Sequence, residues 1–486
     1  MKTKYIFIVI LLVGLFLRLY RFDELFYYGH DHDLEGWFIR DILENHHLRL
    51  IGQETSQKGV FIGALWYYLL IPFYLLANMD PIGGILLSVF VSGLSLVSIY
   101  FVFTKVFSKD VAMIGSAIYA LSFLIIFTDR EVVPTTPLML WSIWFLYTLY
   151  LIKQGKQKLG FILAAILIAL IWHINLSLLL LTPLLLLSFI LSRNKLNLKH
   201  FIKASFVAVL LNLPLIAFEI RHDFNQIQAV TGSIIGGENK VNFLAKLDRT
   251  MQLVYKNTTN LFYGSDAINI PLLTFWFLLI ILGALAYKKF ISYSWVVIFL
   301  FWQAIFILFF SLNSINLSEY YLNGMNIVWI AIASLAFVQI FKNKNYKWLA
   351  VIIGFVFVLA NAYQISNIAI NRSGYLQRKQ VVEFIKQDSL AHNYPCVAVS
   401  YIVTPGNDLG YRYFYYLENL HVNQPKSGSP VYTIVFPHTM VDHLDKTFGA
   451  LGLLLPDYGR YNQSQVDFSC SGKNANLTDP MFGMTQ

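Results

Sequence analysis

The fold is decided by the stretch YIFIVILLVGLFLRLYRFDELFYYGHDHDLE at residues 5–35. Its first part, residues 5–21, is apolar and long enough to cross a bilayer as a helix, which takes ~17–25 residues. No small-residue cleavage site follows this run, so we expect an uncleaved first span rather than a signal peptide. Carboxylates and imidazoles then crowd into residues 30–35. A span that opens into an acidic segment predicts a membrane protein whose chemistry lies outside the bilayer.

The composition supports the same class of protein. The chain is 57% hydrophobic and 13% charged, whereas soluble proteins average ~45–50% and ~25%. A soluble fold has no interior large enough for this much apolar surface, so most of it must face lipid. The net charge of +9 does not indicate a nucleic-acid partner, because the basic residues lie between apolar runs rather than on one face.

Further apolar runs predict a polytopic α-helical protein with about eleven transmembrane helices. We place these spans at 5–21, 82–104, 111–128, 137–152, 159–174, 175–192, 203–219, 270–287, 291–312, 321–341 and 347–366. Lysine and arginine collect in alternate connections, which predicts a cytoplasmic N-terminus. Residues 60–78 are also apolar, but a span there would move every later basic loop outside. We therefore expect an interfacial helix in this segment.

The spans divide the chain into two predicted domains. Residues 1–366 form a transmembrane domain with large outer loops at 22–81 and 220–269. Residues 367–486 are more polar and predict a small extracytoplasmic α/β domain, with a helix at 378–386 and strands at 396–403, 411–417 and 430–437. Cys396 and Cys470 both lie in this domain, and the sequence leaves open whether they form a disulfide or stay free thiols.

The first outer loop holds the densest group of ionisable residues. Asp31, Asp33 and Glu35 can accept a proton from an attacking hydroxyl or hold a divalent cation, and the flanking histidines also suit a transition metal. The alternative is a solvated loop whose charges only keep it out of lipid. Lys58 precedes the interfacial helix, where it can pair with a lipid phosphate or simply extend to the headgroups.

Polar side chains recur at the outer ends of later spans. Arg130 can clamp a phosphate or pair with Asp129 or Glu131. His173 stands at a helix end, where a lone histidine usually caps or packs. The remaining candidates are Glu219, Arg221 and His222 after the seventh span, and Glu319 and Tyr320 before the tenth.

Together these segments resemble the GT-C superfamily of membrane glycosyltransferases. They are most similar to bacterial members of glycosyltransferase family 39, the group of protein O-mannosyltransferases and aminoarabinose transferases. The resemblance covers roughly residues 5–365. It is carried by GHDHDLEGWFIRDIL at 29–43, LIGQETSQKGVFIGALWYYLLIPF at 50–73, WHINLSLLL at 172–180 and PLIAFEIRHDF at 214–224.

The resemblance implies an inverting transfer of a hexose or pentose from a polyprenyl-phosphate donor, in the cell (inner) membrane. The acceptor, on the extracytoplasmic side, would be a protein, a lipid or a glycan. Asp31 matches the family's general base, and Glu35 matches a second catalytic acid. Lys58, Arg130 and Arg221 would bind the donor phosphate. Further residues would line the same cavity: Asp33, Glu131, His173, Glu219, His222, Glu319 and Tyr320.

One departure concerns the junction before the fourth span. Many relatives place Asp or Asn beside proline there, whereas this chain reads Val132-Val133-Pro134-Thr135, so Glu131 is the acid left to substitute. The sequence requires no cofactor, and a divalent metal would use Asp31 and Asp33. The alternative function is a transporter or flippase for a lipid-linked glycan. Such a protein needs polar residues deep in its spans, and these spans are mostly Leu, Ile and Phe.

Overall fold

The computed structural model describes residues 2–55, 57–235, 242–264, 271–313, 315, 317–370, 372–472 and 474. Its helices up to the last long apolar one are α1 (Lys2–Leu19), α2 (Phe22–Leu25), α3 (His30–Glu44), α4 (Leu65–Leu76), α5 (Gly83–Val106), α6 (Lys109–Leu121), α7 (Phe123–Thr128), α8 (Leu138–Lys153), α9 (Gln157–Ile174), α10 (Pro183–Ser192), α11 (Leu198–Leu211), α12 (Leu213–Arg221), α13 (Asn225–Ile235), α14 (Phe243–Tyr263), α15 (Pro271–Tyr287), α16 (Tyr293–Leu312), α17 (Asn326–Lys342) and α18 (Lys347–Ser366). The helices that follow are α19 (Tyr375–Ala391), α20 (Arg412–Leu417) and α21 (Gln463–Cys470).

The strands form two separate sheets. They are β1 (Ile51–Glu54), β2 (Phe61–Gly63), β3 (Val397–Val403), β4 (Val422–Asn423), β5 (Val431–Phe436), β6 (Lys446–Phe448) and β7 (Leu451–Leu454). β1 and β2 make an antiparallel hairpin, and the others make a five-stranded sheet in the order β4-β3-β5-β7-β6. In this sheet β3 runs parallel to β4 and β5, whereas β7 is antiparallel to β5 and β6. Short 3₁₀ helices cover Leu176–Leu181, Glu319–Met325, Pro425–Ser427, His438–Met440 and Tyr458–Arg460.

The apolar helices make this a multi-pass membrane protein. Within the described residues, five helices are long and apolar enough to cross a bilayer: α5, α9, α16, α18 and the run Glu319–Lys342. The pair α11 and α12, bent by 58°, makes six if it is one span. Several other predicted spans coincide with shorter apolar helices, so the number eleven stays a prediction. α4 has 12 residues, about 18 Å of helix, which is too short to cross a hydrocarbon core of ~30 Å alone.

A buried ion pair ties the first span to a distant junction. Arg18, with no exposed surface, donates from Nε to Oδ2 of Asp129 at 2.8 Å. The Tyr119 hydroxyl donates to the same oxygen at 2.8 Å. The guanidinium also donates to main-chain carbonyls of Gly14, Tyr119 and Ala120. Because the charge is paired and hydrogen-bonded, the fold tolerates it in an apolar interior.

The C-terminal region is an α/β unit, in which one predicted element has the wrong type and β4, β6, β7 and α21 were not predicted. The predicted strands at 396–403 and 430–437 correspond to β3 and β5, and the predicted helix extends to the whole of α19. The strand predicted at 411–417 is wrong, because this segment forms the helix α20. Its consecutive aromatic residues Tyr413, Phe414 and Tyr415 are all buried. Tertiary packing therefore overrides the strand preference of aromatic residues here.

The two cysteines form a disulfide, which decides between the alternatives that the sequence left open. Cys396 precedes β3 and Cys470 ends α21, so the bond joins positions 74 residues apart. It closes the C-terminal segment back onto the first strand of the five-stranded sheet.

A single hydrophobic core joins the first outer segment to the C-terminal unit. Side chains of α3, α4 and the start of α5 pack with those of α19, α20 and the five-stranded sheet. Trp37 and Phe38 of α3 are completely buried in this core, as are Tyr413 and Tyr432. As a result α3 has α4 on one side and the C-terminal unit on the other.

Candidate active site

The helix α3 carries the acids of the first outer segment. It begins after Gly29, whose main-chain N–H donates to Nδ1 of His32 at 3.2 Å. Burial and the charge of Arg378 lower the pKa of His32 to about 3, so this imidazole is neutral. Carboxylates in the first turn suit the positive end of the helix dipole. Every residue from 32 to 39 is buried, whereas Asp31 is exposed.

Asp31 is the carboxylate that solvent can reach. Although its side chain is exposed, the surrounding protein desolvates it and raises the pKa of its carboxyl group, an effect that His30 opposes. Neighbouring protein atoms thus displace part of the water that would stabilise the charged carboxylate, although solvent still reaches it. A raised pKa also makes the ionised form a stronger base. These properties suit proton abstraction from a bound acceptor.

Glu35 lies one helical turn further and is completely buried. Its Oε1 accepts a hydrogen bond from Nε1 of Trp66 at 2.7 Å, and among the described residues its Oε2 has no hydrogen-bond partner. Burial raises the pKa of the Glu35 carboxyl group well above its usual range, and the charge of Asp31 adds to the rise. The rise favours the protonated, uncharged form of this group. Its lack of exposed surface differs from the expected role in contact with substrate.

Asp33 lies on the opposite side of α3 from Asp31, as positions two apart on a helix do. It has no exposed surface. Its carboxylate accepts hydrogen bonds from the hydroxyl of Tyr28 at 3.3 Å, from Nε1 of Trp37 at 3.3 Å and from the main-chain N–H of Tyr413 at 3.0 Å. Asp31 and Asp33 therefore do not form a shared pair of metal ligands. Across the described ranges, no group of three or more His, Cys, Asp or Glu side chains could hold a metal ion.

Lys58 lies in the turn of the β1–β2 hairpin with its side chain exposed. The hairpin rests on α4 at Gly52, where a Cβ atom would lie only 2.2 Å from the Tyr67 ring. The main-chain N–H of Gln53 donates to the Tyr67 hydroxyl at 3.2 Å. The hairpin that carries the exposed Lys58 ammonium group thus rests on α4, and α4 packs against α3.

His173 supports this hairpin from the C-terminal end of α9. Its Nδ1 accepts from the main-chain N–H of Leu65 at 3.3 Å. A Cβ atom at Gly63 would lie 2.0 Å from the same nitrogen, so only glycine allows the imidazole to fit against β2. These contacts fit the packing alternative for His173, because the ring fills the junction between β2 and α4.

Glu219 joins the hairpin to the helices α12 and α13. It is buried, and its Oε1 accepts from Nε2 of Gln226 at 2.8 Å. Gln226, also buried, accepts in turn from the main-chain N–H of Phe61 in β2 at 2.6 Å. Arg221 at the end of α12 is exposed. The sequence did not single out Gln226, because a lone glutamine in a polar segment carries no signal of burial.

His222, next to Arg221, is held by its own helix. Its ring stacks on Phe218 with centroids 4.0 Å apart, and its Nδ1 lies 2.8 Å from the Phe218 carbonyl oxygen. Glu319 and Tyr320 begin the short 3₁₀ helix that precedes α17. Glu319 makes an exposed ion pair with Lys256 of α14 at 3.0 Å, and Tyr320 packs edge-on against Tyr321.

Arg130 has main-chain partners instead of the expected open phosphate site. Its guanidinium donates to the carbonyl oxygens of Leu17, Arg18 and Tyr20. These are carbonyls at the C-terminal end of α1, which lack partners within the helix. The neighbouring acid Asp129 pairs with Arg18 and not with Arg130.

Glu131 is a second accessible carboxylate with a raised pKa. Its side chain is exposed, yet burial of the surrounding junction raises its pKa to about 7. It lies in a small polar recess that includes Thr135, Thr136, Asn323 and Asn326. The acid expected to substitute at this junction is therefore accessible and can be protonated near neutral pH.

The fold has close counterparts among solved membrane glycosyltransferases. No family model and no curated protein matches the sequence. The crystal structure of ArnT from Cupriavidus metallidurans bound to undecaprenyl phosphate superposes with a TM-score of 0.60 at 12% identity, over 92% of this chain and 96% of that one. The apo oligosaccharyltransferase of Archaeoglobus fulgidus gives a TM-score of 0.50 at 14% identity, over 89% and 69%. This chain therefore has the GT-C fold that its sequence resembles.

Proposed function

We propose that this protein transfers a monosaccharide from a polyprenyl-phosphate donor to an acceptor on the extracytoplasmic side of the cell membrane, with inversion at the anomeric carbon. The observation that carries the proposal is Asp31, an accessible carboxylate with a raised pKa on a helix whose next eight residues are buried, in a GT-C fold. The donor class is supported by the similar ArnT structure, which was crystallised with undecaprenyl phosphate.

The reaction needs one base and a stabilised leaving group. The acceptor hydroxyl attacks the anomeric carbon while its proton passes to Asp31. A carbon–oxygen bond to the acceptor forms as the bond between the sugar and the phosphate oxygen breaks. The electron pair of that broken bond leaves with the polyprenyl phosphate. Attack from the side opposite the phosphate inverts the anomeric configuration.

Lys58 and Arg221 are the basic residues that we assign to the donor phosphate. Both are exposed, and the hydrogen bonds from Glu219 through Gln226 to β2 hold α12 and the hairpin together. Cationic donors stabilise the charge that grows on the departing phosphate. Arg130 is not assigned this role, because its guanidinium already satisfies carbonyls of α1.

The outward location of the C-terminal unit is supported by its disulfide. Cys396 and Cys470 are bonded, and disulfides persist in oxidising compartments but are rare in the reducing cytosol. The pattern of basic loops independently predicts a cytoplasmic N-terminus. Both arguments support the extracytoplasmic location that we propose for α3 and the C-terminal unit.

The proposal is tested in native membranes that supply the acceptor, with radiolabelled polyprenyl-phosphate hexoses and pentoses as donors. The unmodified protein is expected to transfer label from one of them. Asp31→Asn is expected to lower transfer by about 10²–10⁴-fold, the range for loss of a general base. The matched control is Asp248→Asn on α14, an exposed acid bonded to Gln252.

Full transfer by Asp31→Asn would refute the role of Asp31. Lack of transfer from every donor, together with movement of a lipid-linked glycan across vesicles, would instead favour the transporter.

A further inference from the structure

We propose that the C-terminal unit positions the catalytic helix α3, and that Asp33 is the positioning residue through which it does so. This inference rests on the proposed function, since it concerns the placement of Asp31. The unit lies outside the segments that carry the family resemblance, and the role of Asp33 is distinct from base catalysis because its carboxylate has no exposed surface.

The first contact is a hydrogen bond between distant parts of the chain. Oδ1 of Asp33 accepts from the main-chain N–H of Tyr413 at 3.0 Å, across a separation of 380 residues. Tyr413 is the second residue of α20, whose first N–H groups have no partner within the helix. Asp33 of α3 therefore caps α20 from outside, because its side-chain oxygen accepts from one of these N–H groups.

The second contact is the close approach of the Tyr413 ring to Gly36. A Cβ atom at Gly36 would lie 2.7 Å from three atoms of that ring. Glycine is a poor residue for the middle of a helix, so its presence in α3 is explained by this approach. The Tyr413 hydroxyl continues to the carbonyl oxygen of Met79 at 2.9 Å, which fixes the ring against the segment after α4.

The third contact holds the segment just before Asp31. The main-chain N–H of Tyr375 donates to the carbonyl oxygen of Phe26 at 3.2 Å. Gly410, at φ +85°, lies against Gly29, where an added Cβ atom would come within 3.0 Å of the Gly29 carbonyl carbon. The C-terminal unit thus contacts the chain on both sides of Asp31, at Gly29 before it and at Asp33 after it.

These contacts hold the helix that carries the base, and none of them involves the residues assigned to the donor phosphate. Asp33 bonds Tyr28, Trp37 and Tyr413, whereas Lys58 and Arg221 lie on the hairpin and α12. Loosening the Asp33 contact should therefore displace Asp31 and slow turnover while donor binding is kept. Displacement of a reacting group by about 1 Å can cost ~10²-fold in rate.

The test compares Asp33→Ala and Gly36→Ala with the control Asp388→Ala in the full-length protein. Asp388 accepts hydrogen bonds from Tyr432 and Tyr458 inside the C-terminal unit, at 2.5 and 2.8 Å. Hydrogen exchange of residues 26–44 is measured alongside the kcat of transfer and the KM for the donor. In the Asp33 and Gly36 variants, exchange is expected to accelerate and kcat to fall by about tenfold or more, with KM changed less than about twofold.

Asp388→Ala is expected to leave exchange in residues 26–44 and kcat unchanged, although it loosens the unit itself. Asp33→Asn keeps an oxygen for the Tyr413 N–H and is expected to recover most of the kcat lost in Asp33→Ala. Unchanged exchange in both test variants, or faster exchange with unaltered kcat, overturns the positioning role. A wild-type protein without transfer activity would count against the proposed function, and the exchange comparison would still decide whether the C-terminal unit holds α3.

Discussion

Replacing Asp129 with asparagine should be among the most damaging single changes in the transmembrane domain. Arg18 is completely buried and Asp129 is 5% exposed. The substitution removes the negative charge and leaves the guanidinium uncompensated in an apolar interior. It also turns an amide donor toward a site where Arg18 and the Tyr119 hydroxyl both donate to one oxygen. Breaking a buried pair from one side costs about 3–5 kcal/mol of unfolding free energy.

The double variant Arg18→Met with Asp129→Leu tests whether the cost comes from leaving one charge unpaired. It removes both charges together, so no ion is left buried without its partner. Replacement of a whole buried pair by apolar residues is often neutral or stabilising. We therefore expect the double variant to stay within about 1 kcal/mol of the unmodified protein, well below the sum of the two single costs.

The assay is reversible unfolding in detergent micelles, followed by circular dichroism for the unmodified protein, for Asp129→Asn, for the single variants Arg18→Met and Asp129→Leu, and for the double variant. The matched control is Asp110→Asn, which breaks an ion pair with Lys342 at 2.7 Å in which both side chains are more than half exposed. An exposed pair is worth less than about 1 kcal/mol. If Asp129→Asn costs no more than this control, or if the single costs simply add in the double variant, the argument from burial is refuted.

Three further changes test other carboxyl and thiol groups. The pKa of Glu131 in the folded protein is about 7, above its usual 4.5, so the native state holds this proton more tightly and its contribution to stability falls as pH rises through about 7. Glu131→Gln should remove this loss of stability, which is measured as the change in the unfolding midpoint between pH 5 and 8. A variant whose midpoints follow the same pH profile as the unmodified protein would contradict the prediction. Glu35→Gln should keep transfer within a few-fold, because burial favours the uncharged carboxyl group and the amide oxygen still accepts from Trp66; a loss as large as that of Asp31→Asn would show that the ionisable acid itself is needed. Replacing Cys396 and Cys470 by serine should lower the unfolding free energy of the C-terminal unit by about 2–5 kcal/mol in urea titrations, since it opens a loop of 74 residues; equal midpoints would speak against the bond.

Local patterns predicted the parts of the molecule that depend on local physics. Apolar run lengths predicted a membrane protein, and the alternating strand-like runs predicted β3 and β5. The strand predicted at 411–417 was wrong because a run of aromatic residues can form either a strand or a short buried helix. Its choice of helix depends on packing against α3, which lies nearly four hundred residues earlier in the chain.

The acids of α3 show the same limit at the candidate site. The sequence placed Asp31 and Glu35 together in the first outer loop, but it could not reveal that Trp66 covers Glu35 and leaves Asp31 open. Arg130 lies between two acids in the sequence, Asp129 and Glu131. Asp129 nevertheless pairs with Arg18, which is 111 residues away. Partners that arrive from distant segments are set by the tertiary fold and leave no mark in local spacing.

The shared core of α3 and the C-terminal unit has a consequence for biogenesis. During synthesis α3 is made early, but the Tyr413 N–H that Asp33 binds is made 380 residues later. At ~5–20 residues per second, this leaves a delay of roughly 20–80 s. Until then Trp37 lacks Tyr413 and Tyr416, the aromatic residues that pack against it in the finished protein. A nascent or prematurely terminated chain would thus carry its acids without an assembled site, which delays activity until translation is nearly complete.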